Sequence, residues 1–321
     1  MAGGYRNHCQ TRRSCLTVDL RGSAERVKGP RATPQSSVAE VASHLGSVAP
    51  LPDAGFSLLN SRMRTCSILA TLLVGSATAV AAPGIVFAFG GGTMTEELHQ
   101  LFLSHSPSAT PHVLVIPHAR APENITRGSQ YNIDTFARLS GGRVTVLDLT
   151  DLEAARAAIR SADAIFMTGG SQRLLYRSLD EAGMLDEVRA RHAAGVPVGG
   201  TSAGAAIMSE TMLSGSRTDP ATGLPDPGIY PGLGLWKEVI VDQHFTERNR
   251  IDRLRAGVRR NPHLIGVGID EPVAALYDGT GFTVVGKGTV TVIRLANPNQ
   301  PDGDLVETVL RPGDQFRTRP D

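Results

Sequence analysis

Residues 196–206 read Val196-Pro197-Val198-Gly199-Gly200-Thr201-Ser202-Ala203-Gly204-Ala205-Ala206. An apolar strand runs into a Gly-x-Ser-x-Gly turn, and a helix of small residues leaves it. Glycines on both sides permit a sharp strand-to-helix turn that lifts the Ser202 hydroxyl above a sheet. There the next amide faces developing negative charge. Five residues alone also fit an ordinary glycine-rich turn, so the surrounding pattern has to choose between the two.

On both sides short apolar runs alternate with segments of helical spacing. Residues 84–89, 112–116, 143–149, 162–167 and 196–200 read as buried strands. Residues 96–103, 124–139, 152–160 and 181–194 read as helices. This βαβαβα order predicts an α/β three-layer sandwich on a mostly parallel sheet, joined by right-handed crossovers. Further along, 246–259 reads as a helix, and 264–269, 272–277, 282–285 and 289–293 as strands joined by short glycine-containing turns. These are expected to be antiparallel additions to the same sheet. No repeat or low-complexity linker follows Ala82, so residues 82–321 are expected to form a single domain.

Composition removes several classes of chemistry. Hydrophobic residues make up 41% and charged residues 20% of the chain, which fits a globular protein rather than a collagen or a coiled coil. The net charge of +1 conceals an asymmetry, because residues 1–62 are basic and residues 82–321 carry −4. A mildly acidic body is a poor partner for nucleic acid. The three cysteines are Cys9, Cys15 and Cys66, so the body holds no disulfide, thiol nucleophile or thiolate metal site. Lysine occurs only at Lys28, Lys237 and Lys287, which disfavours Schiff-base chemistry.

The front of the chain reads differently. Residues 1–62 lack sustained apolar periodicity and are expected to be a disordered leader or an over-extended start. Met63-Arg64-Thr65-Cys66-Ser67 forms a short positive n-region, residues 68–74 supply an apolar stretch, and Ala79-Val80-Ala81 fits a cleavage site. Residues 63–81 are therefore expected to be a signal peptide, giving a secreted or periplasmic mature chain from Ala82 and no membrane anchor after cleavage. Read instead as a buried helix, the same segment would leave the protein cytoplasmic.

A serine nucleophile needs a base. His244 ends the apolar strand 239–241 through Asp242-Gln243-His244, at the kind of strand end where α/β sheets hold their ligands. Its orienting acid could be Glu271, at the end of Gly266-Val267-Gly268-Ile269-Asp270-Glu271, or Asp219 in the loop after the serine helix. Thr168-Gly169-Gly170-Ser171-Gln172 is a second turn that could lend an oxyanion amide or simply begin a helix. Gly90-Gly91-Gly92-Thr93 lacks the spacing of a nucleotide loop and reads as a turn. The arginines of Arg248-Asn249-Arg250-Ile251-Asp252-Arg253-Leu254-Arg255 fit either a solvated helix face or forks for substrate carboxylates. No metal-ligand spacing occurs, and His112 with His118 has no third ligand nearby, so no metal or cofactor is expected.

Taken in order, Thr168-Gly-Gly-Ser-Gln172, Gly199-Gly-Thr-Ser-Ala-Gly-Ala205, Asp242-Gln-His-Phe-Thr-Glu-Arg248-Asn-Arg250-Ile-Asp-Arg253-Leu and Gly268-Ile-Asp-Glu271 resemble the cyanophycinases. These belong to a serine peptidase family that also includes aspartyl dipeptidases, and the resemblance spans roughly residues 84–293. It implies a class I glutamine amidotransferase-like, flavodoxin-like fold. It also implies hydrolysis of cyanophycin, a poly-aspartate bearing arginine side groups, to β-Asp-Arg dipeptides.

By the same resemblance Ser202 would be nucleophile, His244 base and Glu271 its orienting acid, with the Gly170 and Ala203 amides as oxyanion hole. Gln172, Asp242, Gln243, Arg248, Arg250 and Arg253 would form the substrate pocket. The partner would be cyanophycin or a β-aspartyl peptide, and a homodimer is one assembly open to the chain. The loop Pro117-His118-Ala119-Arg120 departs from the small hydroxylated residues expected after the second strand. The order Ser, His, Glu also differs from that of the α/β-hydrolases. Two other readings remain at this stage: an aspartyl dipeptidase acting on short peptides, and a binding protein on the same scaffold.

Overall fold

The structure, a computed structural model, describes residues 82–121, 125–218 and 225–318, with the side chains of 125–128, 216–218 and 225–226 left out. The expected leader, the signal segment 63–81 and Asp219 lie outside the described residues.

Five short strands come first: β1 (Val86–Phe89), β2 (Val113–Ile116), β3 (Val144–Val146), β4 (Ala164–Met167) and β5 (Val198–Thr201). Between them run α1 (Glu96–Ser104), α2 (Ile125–Leu139), α3 (Leu152–Ser161), α4 (Gln172–Glu181) and α5 (Leu185–Ala193). The strands pair in parallel in the order β1-β5-β4-β2-β3.

Alternation along each strand divides the core in two. Phe87, Phe89, Val113, Val115 and Phe166 face Phe102 of α1 and Phe136 of α2. Val86, Ala88, Leu114, Ile165 and Val198 face the other way, towards Ile159 of α3, Leu175 of α4 and Val188 of α5. With apolar residues on both faces, the strands read as unbroken apolar runs, as buried parallel strands do. Helices cover both faces, giving the three expected layers.

After β5 come α6 (Ala203–Ala206), a hairpin of β6 (Thr211–Thr218) and β7 (Pro225–Pro231), β8 (Val239–Gln243) and α7 (Ile251–Arg260). Six more strands follow: β9 (Ile265–Ile269), β10 (Val273–Tyr277), β11 (Gly281–Gly286), β12 (Val290–Leu295), β13 (Leu305–Leu310) and β14 (Gln315–Arg317). β10, β11 and β14 extend the central sheet antiparallel beyond β1, as expected.

The rest of the tail corrects the expectation of a single sheet. β13-β12-β9-β8 is a separate four-stranded sheet, with β8 and β9 parallel. One face, with Val239, Val241, Val267 and Val292, joins the main core. The other, with Ile240 and Ile293, packs on Leu254 and Val258 of α7. Buried on both sides, its strands have the same apolar pattern as those of the central sheet, so pattern alone does not tell the two apart.

The helices differ from expectation at two places. The segment expected as one helix over 181–194 begins only at Leu185, and α4 precedes it. The Ser171 hydroxyl caps α4 by accepting from the Leu174 amide, and Met184 N–H donates back to Leu179 O to close it. α7 begins at Ile251 rather than at 246, because the chain turns through a left-handed Asn249 first.

Candidate active site

Ser202 follows directly on β5 and occupies the N-cap position of α6. A serine at that position ordinarily caps its own helix. Here φ is 55° and ψ is −112°, no capping bond forms, and Oγ–H donates to His244 Nε2 at 2.7 Å. That backbone conformation is costly for a residue with a side chain and is found at functional turns. Main-chain bonds hold it: Ser202 N–H donates to Phe89 O, and the Ala205 and Ala206 amides donate to Ser202 O, each at 3.0 Å. The turn is also tight, since a Cβ on Gly204 would lie 2.2 Å from the Met167 carbonyl oxygen.

His244 follows β8, in the second sheet, and Glu271 lies in the link by which the chain passes from β9 back to β10 of the central sheet. Serine, histidine and acid thus meet at the seam between two sheets. His244 Nδ1–H donates to Glu271 Oε1, which leaves Nε2 free to accept the serine proton. The His244 amide donates to Gly90 O at 2.9 Å. Glu271, one of the two candidate orienting acids, meets His244; the other, Asp219, lies outside the described residues. Burial pushes the imidazole below its ordinary pKa; the Glu271 bond pulls the other way, and Arg248 and Arg250 add to the depression.

Neighbouring carboxylates stitch this seam together. Asp270 Oδ1 accepts from the Thr246 amide at 3.0 Å and its hydroxyl at 2.6 Å, fixing the loop after His244 to the link that carries Glu271. The Glu271 amide donates to Glu247 Oε1 at 3.0 Å. None of these partners was readable from spacing. The turn Gly90-Gly91-Gly92 is likewise part of the site: a Cβ on Gly91 would lie 2.2 Å from the His244 ring.

A cleft of about 500 Å³ opens over Ser202 and His244. Gly169 and Gly170 line it, and the loop is held by Ser171 N–H donating to Ala119 O at 2.6 Å. Gly169 lies against the serine, where a Cβ would be 3.2 Å from Ser202 Cβ. Arg120, Tyr131, Asn132 and Arg248 form much of the remaining wall. Arg120 stood in the sequence only as an irregular loop residue, and Tyr131 and Asn132 as part of an amphipathic helix.

Of the six residues expected in the substrate pocket, Arg248 lines this cleft and the other five do not. Asp242 is buried and binds Arg253 through both carboxylate oxygens, with Nε at 2.9 Å from Oδ2 and Nη2 on Oδ1. Arg250 Nη1 donates to Asp242 Oδ1 at 3.1 Å and to Gln243 Oε1 at 2.6 Å. The Gln172 amide donates to Leu213 O at 2.7 Å, tying α4 to β6. These groups are spent on one another and on backbone.

Comparison with known proteins shows which family the chain belongs to. The family model described as peptidase family S51 matches residues 86–285. A cyanophycinase of Trichormus variabilis is 34% identical over 217 residues, covering 64% of this chain and 72% of that protein. A cyanophycinase of Geminocystis herdmanii is 35% identical over 198 residues, 59% of this chain and 72% of that protein. Among solved structures, a peptidase from an acI-B1 Actinobacterium superposes with a TM-score of 0.57 at 20% identity, covering 73% of this chain and 97% of that one; it speaks for the fold alone. With a family match over most of the body and relatives of this similarity, the chain belongs to peptidase family S51.

Proposed function

We propose that the protein is a serine-type exopeptidase that hydrolyses cyanophycin to β-Asp-Arg dipeptides. The carrying observation is the Ser202-His244-Glu271 hydrogen-bond chain opening into a cleft, together with the similarity to cyanophycinases. Because the dipeptide keeps its β-linkage, the bond that breaks is an α-amide of the poly-aspartate backbone.

Ser202 Oγ attacks that carbonyl while His244 Nε2 takes its proton and Glu271 holds Nδ1–H. The oxyanion that forms is met by the Gly170 and Ala203 amides. His244 returns the proton to the departing amine as the C–N bond breaks, leaving an acyl-enzyme on Ser202. A water, deprotonated by His244, then attacks the ester and releases the carboxylate and the serine. Arg248 meets a substrate carboxylate, whereas Asp242, Gln243, Arg250 and Arg253 support the loop that carries it. In fold, this reading places the protein with the glutamine amidotransferase-like class, on the strength of five parallel strands between two helical layers.

Mass spectrometry of products tests the proposal. The full-length chain incubated with cyanophycin should release β-Asp-Arg, and Ser202→Ala should lower turnover by roughly 10⁴- to 10⁶-fold. Near-full activity in Ser202→Ala would overturn the mechanism; cleavage of free aspartyl dipeptides with the polymer untouched would move the protein to the dipeptidase reading. Export is part of the same proposal, supported by the n-region, apolar run and Ala79-Val80-Ala81 of residues 63–81. Protein exported by an expressing host should begin at Ala82 on N-terminal sequencing, and an exported chain beginning at Met1 would refute it.

A further inference from the structure

Among the described residues, the cleft over Ser202 is lined by two cations, Arg120 and Arg248, and by no carboxylate. The acid of the site, Glu271, is bound to His244. Arg120, like Arg248, differs from the deeper arginines of the region. Arg250 and Arg253 are held by Asp242 and Gln243, whereas Arg120 is exposed and has no hydrogen bond or ion pair among the described residues.

Its backbone is nevertheless fixed to the reacting centre. The preceding residue, Ala119, accepts from the Ser171 amide at 2.6 Å, and Arg120 Cγ lies 3.0 Å from where a Cβ on Gly170 would project. The guanidinium is thus carried on a segment locked to the loop that faces the serine. A planar fork of N–H donors matches a carboxylate in two parallel hydrogen bonds, and a cleft of one sign draws in the opposite charge.

We propose that Arg120 is a substrate-binding residue: it forms a carboxylate subsite beside the Gly169-Gly170 loop and thereby selects substrates with a free carboxylate next to the scissile amide. The inference rests on the cyanophycin reading and adds a determinant to it. Such a substrate offers two sources for this chemistry, the α-carboxylate of each arginyl group and the carboxylate at the end of the aspartate chain.

The test uses short synthetic β-Asp-Arg oligomers in three forms: unmodified, amidated at the arginyl carboxylates, and amidated at the backbone terminus. Full-length wild type, Arg120→Gln and Arg120→Lys are compared on each, with thermal melts to confirm folding. On the unmodified oligomer Arg120→Gln should lose about 10- to 100-fold in kcat/KM, mostly through KM, with part restored in Arg120→Lys. On one amidated form wild type and Arg120→Gln should be equally poor, and that form names the carboxylate. An equal fold-loss on all three forms, or no loss on any, overturns the subsite while leaving the cyanophycin reading in place.

Failure of wild type to cut any form would instead sink that reading. The subsite is then judged by calorimetric binding of β-Asp-Arg and its amides to Ser202→Ala. Weaker binding after amidation, abolished as a difference in Ser202→Ala/Arg120→Gln, supports it; equal binding of all forms refutes it.

Discussion

Ser202 occupies a position where a hydroxyl would normally satisfy a helix amide, and its positive φ turns that hydroxyl to His244 instead. The role proposed for His244 follows from its surroundings in the same way. Burial holds its pKa below the ordinary value near 6.5, so Nε2 stays unprotonated and able to accept at neutral pH. Activity should therefore fall as pH drops, with the acid limb of kcat/KM below about 6.5. Glu271 opposes that depression, since its hydrogen bond favours the charged ring. Glu271→Gln should push the limb to still lower pH while reducing the plateau by roughly 10³- to 10⁴-fold, because the ring loses its fixed tautomer. A pH–rate profile of both proteins decides this, and an unchanged limb and plateau in the variant would remove Glu271 from the mechanism. The serine was legible in the sequence because a Gly-x-Ser-x-Gly turn has a local signature, whereas the residues alone left the acid open between Glu271 and Asp219. Gly91 and Asp270 were not legible, since one acts by lacking a side chain against His244 and the other through a partner 24 residues away at Thr246.

β8 brings Asp242 beneath the site and α7 brings Arg253 to it, so strand and helix are joined by a buried ion pair as well as by apolar packing. The Asp242 side chain is fully buried and that of Arg253 is 7% exposed, so removing the acid leaves a guanidinium with little access to water. Asp242→Ala should cost about 3–5 kcal/mol, as breaking one half of a buried pair does. Urea unfolding with an unchanged m-value would measure it, and a loss under about 1 kcal/mol would mean that the arginines find other partners. The sequence had suggested these residues as ligands of the substrate, and it could not have separated the two roles. Their types and order are the same whether the forks face a ligand or each other. The same limit applies to whole elements. Five parallel strands were legible as apolar runs, but β9 and β12 carry a similar pattern and belong to a different sheet. The turn at Gly169-Gly170-Ser171 was open to beginning a helix, but α4 itself was not legible, since only Leu175 and Leu179 of its hydrophobic residues are buried beside Gln172.

Across the folded body the histidines form a distributed response to acid. His99 in α1, His118 after β2, His192 in α5 and His244 at the seam all lie below the ordinary histidine pKa, with burial as the first cause in each. The folded protein therefore binds fewer protons than the unfolded chain once pH falls below about 6.5, the unfolded value. For a group with a depressed folded pKa, stability is fully present above the unfolded value and is lost as pH falls through the folded one. Asp278 also has a depressed pKa, but as a carboxylate it withdraws its contribution only around pH 4 and below. The window between about pH 6.5 and 5 thus belongs to the histidines. The urea midpoint should hold steady from pH 8 to 7 and then decline towards pH 5. His192→Leu should make that decline shallower, because His192 Nε2 is buried without a partner among the described residues and the substitution removes a proton site there. The same window contains the acid limb expected of His244, so loss of activity at pH 5.5 has two possible origins. Rapid return to pH 7.5 separates them: activity lost by protonating His244 in the intact fold returns at once, whereas activity lost by unfolding returns at the rate of refolding. A midpoint that stays flat down to pH 5 in the wild type would show that these imidazoles reach water on protonation, and the argument from burial would fail.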